Sequence, residues 1–193
     1  MIPTEPTWKS YIVETTQPIF TPKQCQLVID KGMSLKKEEA KVGIGNPDGG
    51  LDTKKRITTI SWIPFKAMQE MYKEIEATML KANGNHFGFN GMRLTEPAQF
   101  THYRTGGFYD WHMDNDILGK NEPPVRKISM TLLLSDPSTF EGGELEFMSK
   151  GKTAKLKQGQ AIFFASWLQH RVKPVTKGER KSLVMWFGGP SFK

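Results

Sequence analysis

The sequence predicts a mainly β fold with flanking helices: a jelly roll buttressed by helices on its amino-terminal side. Three observations point there. Two stretches of helical periodicity lie in the first ninety residues, near 21–33 and 66–82. After His86 the pattern changes to short strand-like runs, at about 97–105, 108–114, 126–135, 143–149, 152–157, 161–165, 169–174 and 181–188. Turn residues separate these eight runs, and two helices followed by eight strands fit a two-sheet barrel whose mouth can hold a ligand. One domain over residues 1–193 is expected, with 1–90 supplying the first strands and helices and 91–193 the jelly-roll core. That length suffices for one substantial hydrophobic core.

Residues 11–20, YIVETTQPIF, read as a short strand leading into the first helix. Thr21 is a capping residue, Pro22 suits the first helical position, and Gln24 completes a capping box. Cys25, Leu27, Val28 and Met33 supply an apolar stripe. Residues 41–55, KVGIGNPDGGLDTKK, are glycine-rich and polar but lack the spacing and context of a phosphate-binding loop. They are expected to be a flexible loop acting as a lid. Arg56 to Phe65 alternates apolar and polar residues as a strand does. From Lys66 to about Ala82, Met68, Met71, Tyr72, Ile75, Met79 and Leu80 recur at helical spacing, closed by Asn83–Gly84.

Composition excludes several classes. One cysteine, Cys25, leaves no internal disulfide framework and fits a reducing compartment. The opening MIPTEPTWKSYIVE has no charged segment followed by an apolar run, so no secretory leader is expected. No apolar stretch approaches the roughly 20 residues of a membrane helix. A cytoplasmic protein is therefore expected. The net charge of +7 is uneven: residues 150–193 hold ten Lys/Arg and one acidic residue, Glu179, whereas 101–149 hold four basic and eight acidic residues. Such a basic segment attracts acidic partners, but no aromatic residues interleave with it as nucleic-acid binding would require.

The chemistry concentrates in YRTGGFYDWHMD, residues 103–114. If the strand continues through 114, His112 and Asp114 share one face and Met113 takes the other. An imidazole and a carboxylate so placed are two members of the 2-His-1-carboxylate triad, which holds Fe(II) and leaves positions open for substrate and oxygen. Of the other histidines, His86, His102 and His170, only His170 sits in a comparable strand-like context, SWLQHRVKPV. Arg180 follows it by ten residues.

These strings have company. Y-x-x-G-G-x-Y-x-x-H-x-D at 103–114, L-S-D followed by E-G-G-E at 134–144, and H-R-V-x-P-V-x-x-G-x-R at 170–180 occur in order. The chain thereby resembles the iron(II)- and 2-oxoglutarate-dependent dioxygenases, most closely the prolyl 4-hydroxylase branch and the related PKHD-type hydroxylases. The likeness covers residues 97–190, and more loosely the segment from Tyr11. It implies a double-stranded β-helix and a metal held by His112, Asp114 and His170. It further implies 2-oxoglutarate bound by Tyr103, Arg180, Ser182 and Trp186, and substrate contacts from Arg104, Tyr109 and Trp111. Arginine suits the cosubstrate because its planar fork matches a carboxylate bidentately. Asn115 and Asp116 are expected either to support the metal loop or to form a turn.

The reaction implied is hydroxylation of a C–H bond with O2 and 2-oxoglutarate, releasing succinate and CO2, with ascorbate as the expected helper. The substrate implied is a prolyl residue in a peptide or protein, proline-rich or acidic; a free amino acid or small molecule is the alternative. A catalytically silent jelly-roll binding module is the alternative from another class. Demethylation of nucleic acid is disfavoured because that family places arginines further beyond the distal histidine, where nothing basic lies between Lys181 and Lys193. One position departs from the prolyl 4-hydroxylase pattern: Leu133 stands where a second tyrosine is expected.

Overall fold

A computed structural model describes residues 10–40, 52–115, 123–149 and 152–191. The amino-terminal part comprises β1 (Ile12–Glu14), α1 (Pro22–Ser34), β2 (Glu38–Glu39), β3 (Arg56–Ile57), β4 (Thr59–Ile63) and α2 (Gln69–Ala82). There follow β5 (Arg93–Leu94), β6 (Ala98–Tyr103), β7 (Phe108–His112), β8 (Val125–Leu133), β9 (Phe140–Gly142) and β10 (Leu145–Phe147). The chain closes with β11 (Lys152–Ala154), β12 (Ala161–Ala165), β13 (His170–Val172), β14 (Val175–Gly178) and β15 (Arg180–Gly189).

Two antiparallel sheets face each other. The larger runs β1-β12-β8-β15-β6-β4-β2, with β5 also paired to β15; the smaller runs β11-β10-β13-β7-β3. A two-stranded β14-β9 ribbon adjoins them. This is the mainly β jelly roll the strand count anticipates, and α1 and α2 cover the outer face of the large sheet as its buttress. Phe100, Ile128, Met130, Leu132, Phe163 and Leu183 point outward to meet Cys25, Val28, Ile75 and Met79 from the helices. Between the sheets, Tyr103, Leu145, Phe147, Ile162, Phe164 and Val172 form a second cluster. Both faces of β6 and β8 are thus buried.

Each helix is fixed by identifiable local chemistry. Thr21 and Gln24 form the reciprocal capping box read from the sequence, with Pro22 at the first helical position. The Tyr72 hydroxyl accepts from Ala98 N at 2.8 Å and donates to the Ile63 carbonyl, tying α2 to the ends of β6 and β4. Leu27 and Leu80, assigned to the apolar stripes, are instead about half exposed, at 55% and 50%. Helix α2 does not stop at Asn83–Gly84; it continues as a π-helical turn over Asn83–Phe87. The Asn83 side chain bonds both the N–H and the C=O of Phe89, satisfying the backbone beyond that turn.

The strand expected over 56–65 divides at Thr58. Arg56–Ile57 joins the small sheet, and Thr59–Ile63 joins the large one. Residues 108–114 also differ: the strand ends at His112. Residues 152–157 are strand only through Ala154. Most of the proposed lid, 41–51, lies outside the described residues, as does Asp116. Among the described residues no helix is long and apolar enough to cross a membrane.

Candidate metal centre

Two strands of the small sheet bring the histidines together. His112 of β7 and His170 of β13 are direct cross-strand partners. The next pair is Val172 with Tyr109, so three residues of β7 oppose two of β13. This bulge puts Tyr109 and His112, three apart, on the same side. Their rings stack with centroids 3.4 Å apart at 14°. Trp111, next to His112 in the strand, takes the opposite face, where it packs under the Arg171 guanidinium at 4.6 Å.

Asp114 reaches the site from a turn rather than from the strand. The N–H groups of Asp114 and Asn115 both donate to the Ser166 carbonyl, at 2.9 and 3.0 Å. The Asn115 amide fastens the same turn to the Arg126 carbonyl at 2.7 Å, so Asn115 supports the loop through its side chain. With the strand ended, Met113 lines the same cavity as its two neighbours.

The three side chains fit a divalent metal. Their ligand atoms all lie within 4.8 Å of one another. Asp114 Oδ1 is 3.8 Å from His112 Nε2, and Asp114 Oδ2 is 3.6 Å from His170 Nε2. The Nδ1 atoms of His112 and His170 lie 2.7 and 2.9 Å from the carbonyls of Asp110 and Leu168. A carbonyl only accepts, so Nδ1 carries the proton and the Nε2 lone pair of each ring turns inward.

The charges agree with this donor set. Burial, reinforced by His170, pushes the His112 pKa down to about 3, so its imidazole is neutral at any ordinary pH. Burial alone would raise the Asp114 pKa. The two histidines and the Ser129 hydroxyl outweigh it and hold the carboxyl below its usual range. The Trp186 indole N–H also approaches that carboxylate, without closing a full hydrogen bond. One carboxylate faces two imidazole Nε2 atoms, which suits a divalent cation with open positions.

From the metal ligands an inner row runs along β15 through Trp186, Val184 and Ser182 to Arg180. Arg180 is only 3% exposed. It bonds the Ser182 hydroxyl at 2.8 Å, and its guanidinium lies 5.6 Å from the centre of the Tyr103 ring. No carboxylate among the described residues pairs with it, and burial lowers its pKa. A buried, unpaired guanidinium is costly unless an anion joins it. Tyr103, Arg180, Ser182 and Trp186 thus stand on one inner surface.

The expected substrate contacts separate. Tyr109 lines the metal cavity, of about 200 Å3, and burial raises its phenol pKa to about 12. Trp111 and Arg104 do not line it. Arg104 is 69% exposed, with Glu179 at 3.7 Å. Sequence reading missed other lining groups. Arg56 lies over Tyr109 at 4.3 Å and donates to Gln99 at 3.1 Å. Arg126 lies over Trp186 at 4.1 Å and makes a two-pronged ion pair with Glu96. The one signal available for Arg56 was its position at the head of an alternating strand.

Residues 98–188 match the family model of the 2OG-Fe(II) oxygenase superfamily. A PKHD-type hydroxylase of Teredinibacter turnerae is 38% identical over 56% of this chain and 51% of its own length. The PKHD-type hydroxylase PiuC of Pseudomonas aeruginosa is 34% identical over 59% of this chain and 54% of its own length. The chain therefore spans about half the length of the curated relatives it matches. Among solved structures, the viral collagen prolyl hydroxylase of Paramecium Bursaria Chlorella virus-1 in its 2OG complex superposes with a TM-score of 0.72. It is 21% identical over 93% of this chain and 97% of its own. A Pseudomonas putida prolyl-4-hydroxylase superposes at 0.70, with 19% identity over 93% and 92% of the two chains. At that identity the likeness shows the shared jelly-roll fold.

Proposed function

We propose, on the premise that residues 98–188 are a 2OG-Fe(II) oxygenase domain, that the chain is an Fe(II)- and 2-oxoglutarate-dependent hydroxylase of prolyl residues in a peptide or protein. Succinate and CO2 are its co-products. One observation carries the reading: a buried Arg180, with no carboxylate partner among the described residues, shares the barrel interior with three inward-facing side chains that could hold a metal. A dicarboxylate with a keto group at one end suits such a pair of sites.

His112, Asp114 and His170 would hold Fe(II), whose chemistry when bound is the activation of O2. The remaining work belongs to the chain. Asp110 and Leu168 hold both imidazoles in the tautomer that binds metal. His170 and His112, helped by the Ser129 hydroxyl, hold the Asp114 carboxyl below its usual range. Arg180, with Ser182 and Tyr103 beside it, orients 2-oxoglutarate through its distal carboxylate. Tyr109, at the mouth, holds the substrate over the metal and excludes water from the reacting C–H bond. Peptide acceptance is supported by the names of the structural neighbours, among them a Trichoplax adhaerens prolyl hydroxylase bound to a peptide of hypoxia inducible factor. Cys25, buried and the sole cysteine, is consistent with a cytoplasmic setting.

The test is incubation with Fe(II), ascorbate, 2-oxoglutarate and proline-rich peptides, following succinate release and peptide mass. Stoichiometric succinate and a gain of one oxygen on proline are expected. Oxygen gain on free amino acids alone would move the reading to the small-molecule alternative. No succinate under any condition would leave a silent binding module. His112→Ala combined with His170→Ala should abolish tight Mn(II) binding without unfolding the sheets.

A further inference from the structure

The metal cavity carries one charge that the proposed reaction leaves unused. Apart from its histidines, the lining residues charged at neutral pH are Arg56, Asp114 and Arg126. Arg126 is offset by its two-pronged ion pair with Glu96. Asp114 and the two carboxylates of 2-oxoglutarate would be offset by a divalent cation and Arg180. Arg56 is left without a counter-charge.

Its surroundings hold the guanidinium in place without neutralising it. Nη2 donates to Gln99 Oε1 at 3.1 Å, and Gln99 is itself buried on β6. The guanidinium lies over the Tyr109 ring at 4.3 Å, and that ring stacks on His112. Nε is buried without a hydrogen-bond partner. Arg104, Arg126 and Arg171 each have a glutamate partner, whereas no carboxylate among the described residues pairs with Arg56. A half-buried cation held by an amide and a phenol ring favours an incoming anion. Its planar donor fork suits a carboxylate. Position decides whose carboxylate that is. Arg56 stands on β3 of the small sheet and Arg180 on β15 of the large one. With the distal carboxylate of 2-oxoglutarate on Arg180, the anion left for Arg56 belongs to the substrate.

We propose that Arg56 is a subsite for a carboxylate carried by the substrate, either an acidic side chain beside the target residue or the α-carboxylate of a terminal or free amino acid. The inference rests on the reading that the cavity takes Fe(II) and 2-oxoglutarate.

The experiment titrates the full chain, loaded with Mn(II) and 2-oxoglutarate without oxygen, by calorimetry. The probes are acetylated, amidated peptides with one proline among alanines and a glutamate on either side of it, each matched by a glutamine peptide. A peptide ending in a free proline carboxylate, its amide, and free proline and prolinamide complete the set. At least one carboxylate probe should bind about tenfold or more tighter than its neutral match, as for a hydrogen bond between charged groups. Which probe does so identifies the source of the carboxylate. Arg56→Met should reduce that preference below threefold while changing Mn(II) and 2-oxoglutarate affinity by less than threefold. Arg56→Gln should act likewise and covers the case in which the first variant fails to fold. Neutral probes that bind as tightly as their acidic matches overturn the inference alone. So does a preference that survives in either folded variant, since it then belongs to the basic surface of the chain. Failure of every probe to bind overturns the hydroxylase reading of the cavity together with it.

Discussion

Replacing Arg180 by methionine separates two consequences that a surface arginine would not show. Methionine keeps an unbranched stem in the slot beside Tyr103 and Gly143 but removes the cation. In the free protein the guanidinium is 3% exposed and pairs with no carboxylate among the described residues, and burial lowers its pKa. Removing an uncompensated buried charge should leave the free protein at least as stable. Binding should suffer instead, because one partner of a buried charge pair is gone. A loss on the order of 3 kcal/mol corresponds to a factor on the order of 100 in 2-oxoglutarate affinity. At a ligand concentration about 100 times the wild-type dissociation constant, binding stabilises the native state by roughly 2.7 kcal/mol; after a hundredfold loss it adds only about 0.4. At 193 residues, a melting-temperature rise of roughly 5–11 °C would shrink to about 1–2 °C. The assay is thermal denaturation with Mn(II), without oxygen, with and without 2-oxoglutarate. A variant that keeps the full ligand-induced rise, or that melts well below wild type without ligand, would refute the reasoning.

Three further outcomes follow from packing. Gly143 has φ +67, and a Cβ there would lie 2.8 Å from Arg180 Cδ and 2.9 Å from Val175 Cγ2. Gly143→Ala should therefore cost about 1–2 kcal/mol in stability from backbone strain alone, and raise the 2-oxoglutarate dissociation constant with Mn(II) affinity unchanged by titration. Gly32 sits in α1, where helix propensity favours alanine by about 1 kcal/mol. The Phe100 ring lies 2.3–2.7 Å from the Cβ that would be added. Overpacking of about 1–3 kcal/mol or more should win, and urea denaturation of Gly32→Ala should show a lower midpoint. Burial raises the Cys25 thiol pKa to about 11, with the residue fully buried. Its alkylation at pH 8 should follow the rate or equilibrium of unfolding, so labelling as fast as that of a free thiol without denaturant would contradict the packing of α1.

The cluster of His112, Asp114 and His170 was legible because its information is local. A histidine and a carboxylate two apart, and a distant histidine in strand context, needed only the correct sheet to meet. Even so, the alternation argument for Asp114 was mistaken in detail. The strand ends at His112, and paired bonds from Asp114 and Asn115 to Ser166 carry the carboxylate inward. Alternation from His112 puts Trp111 on the opposite face, as observed, but it fails for Tyr109, because the β7 bulge shifts the phase by one residue. A bulge depends on the partner strand, and β13 lies nearly sixty residues away in the chain.

Several of the groups that were missed share one cause. Strands β6 and β8 are buried on both faces, one against the helices and one against the metal cavity. A strand buried on both sides shows no polar-apolar alternation to reveal which face is functional. Gln99, Ser129 and Thr131 therefore read as ordinary strand polars, although Gln99 and Thr131 line the cavity and Ser129 lowers the Asp114 pKa. Arg56 was hidden differently, by the division of its strand at Thr58, which moves Arg56 to the small sheet and its successors to the large one. That division lets one short segment connect the sheets beside the site, and Arg56 thereby lies over the Tyr109 ring that stacks on His112. The mouth of the metal cavity is thus assembled from both ends of the chain. A truncation that kept residues 98–188 but removed β3 and β4 would retain His112, Asp114 and His170 while losing Arg56 and Trp62 from the wall of their cavity.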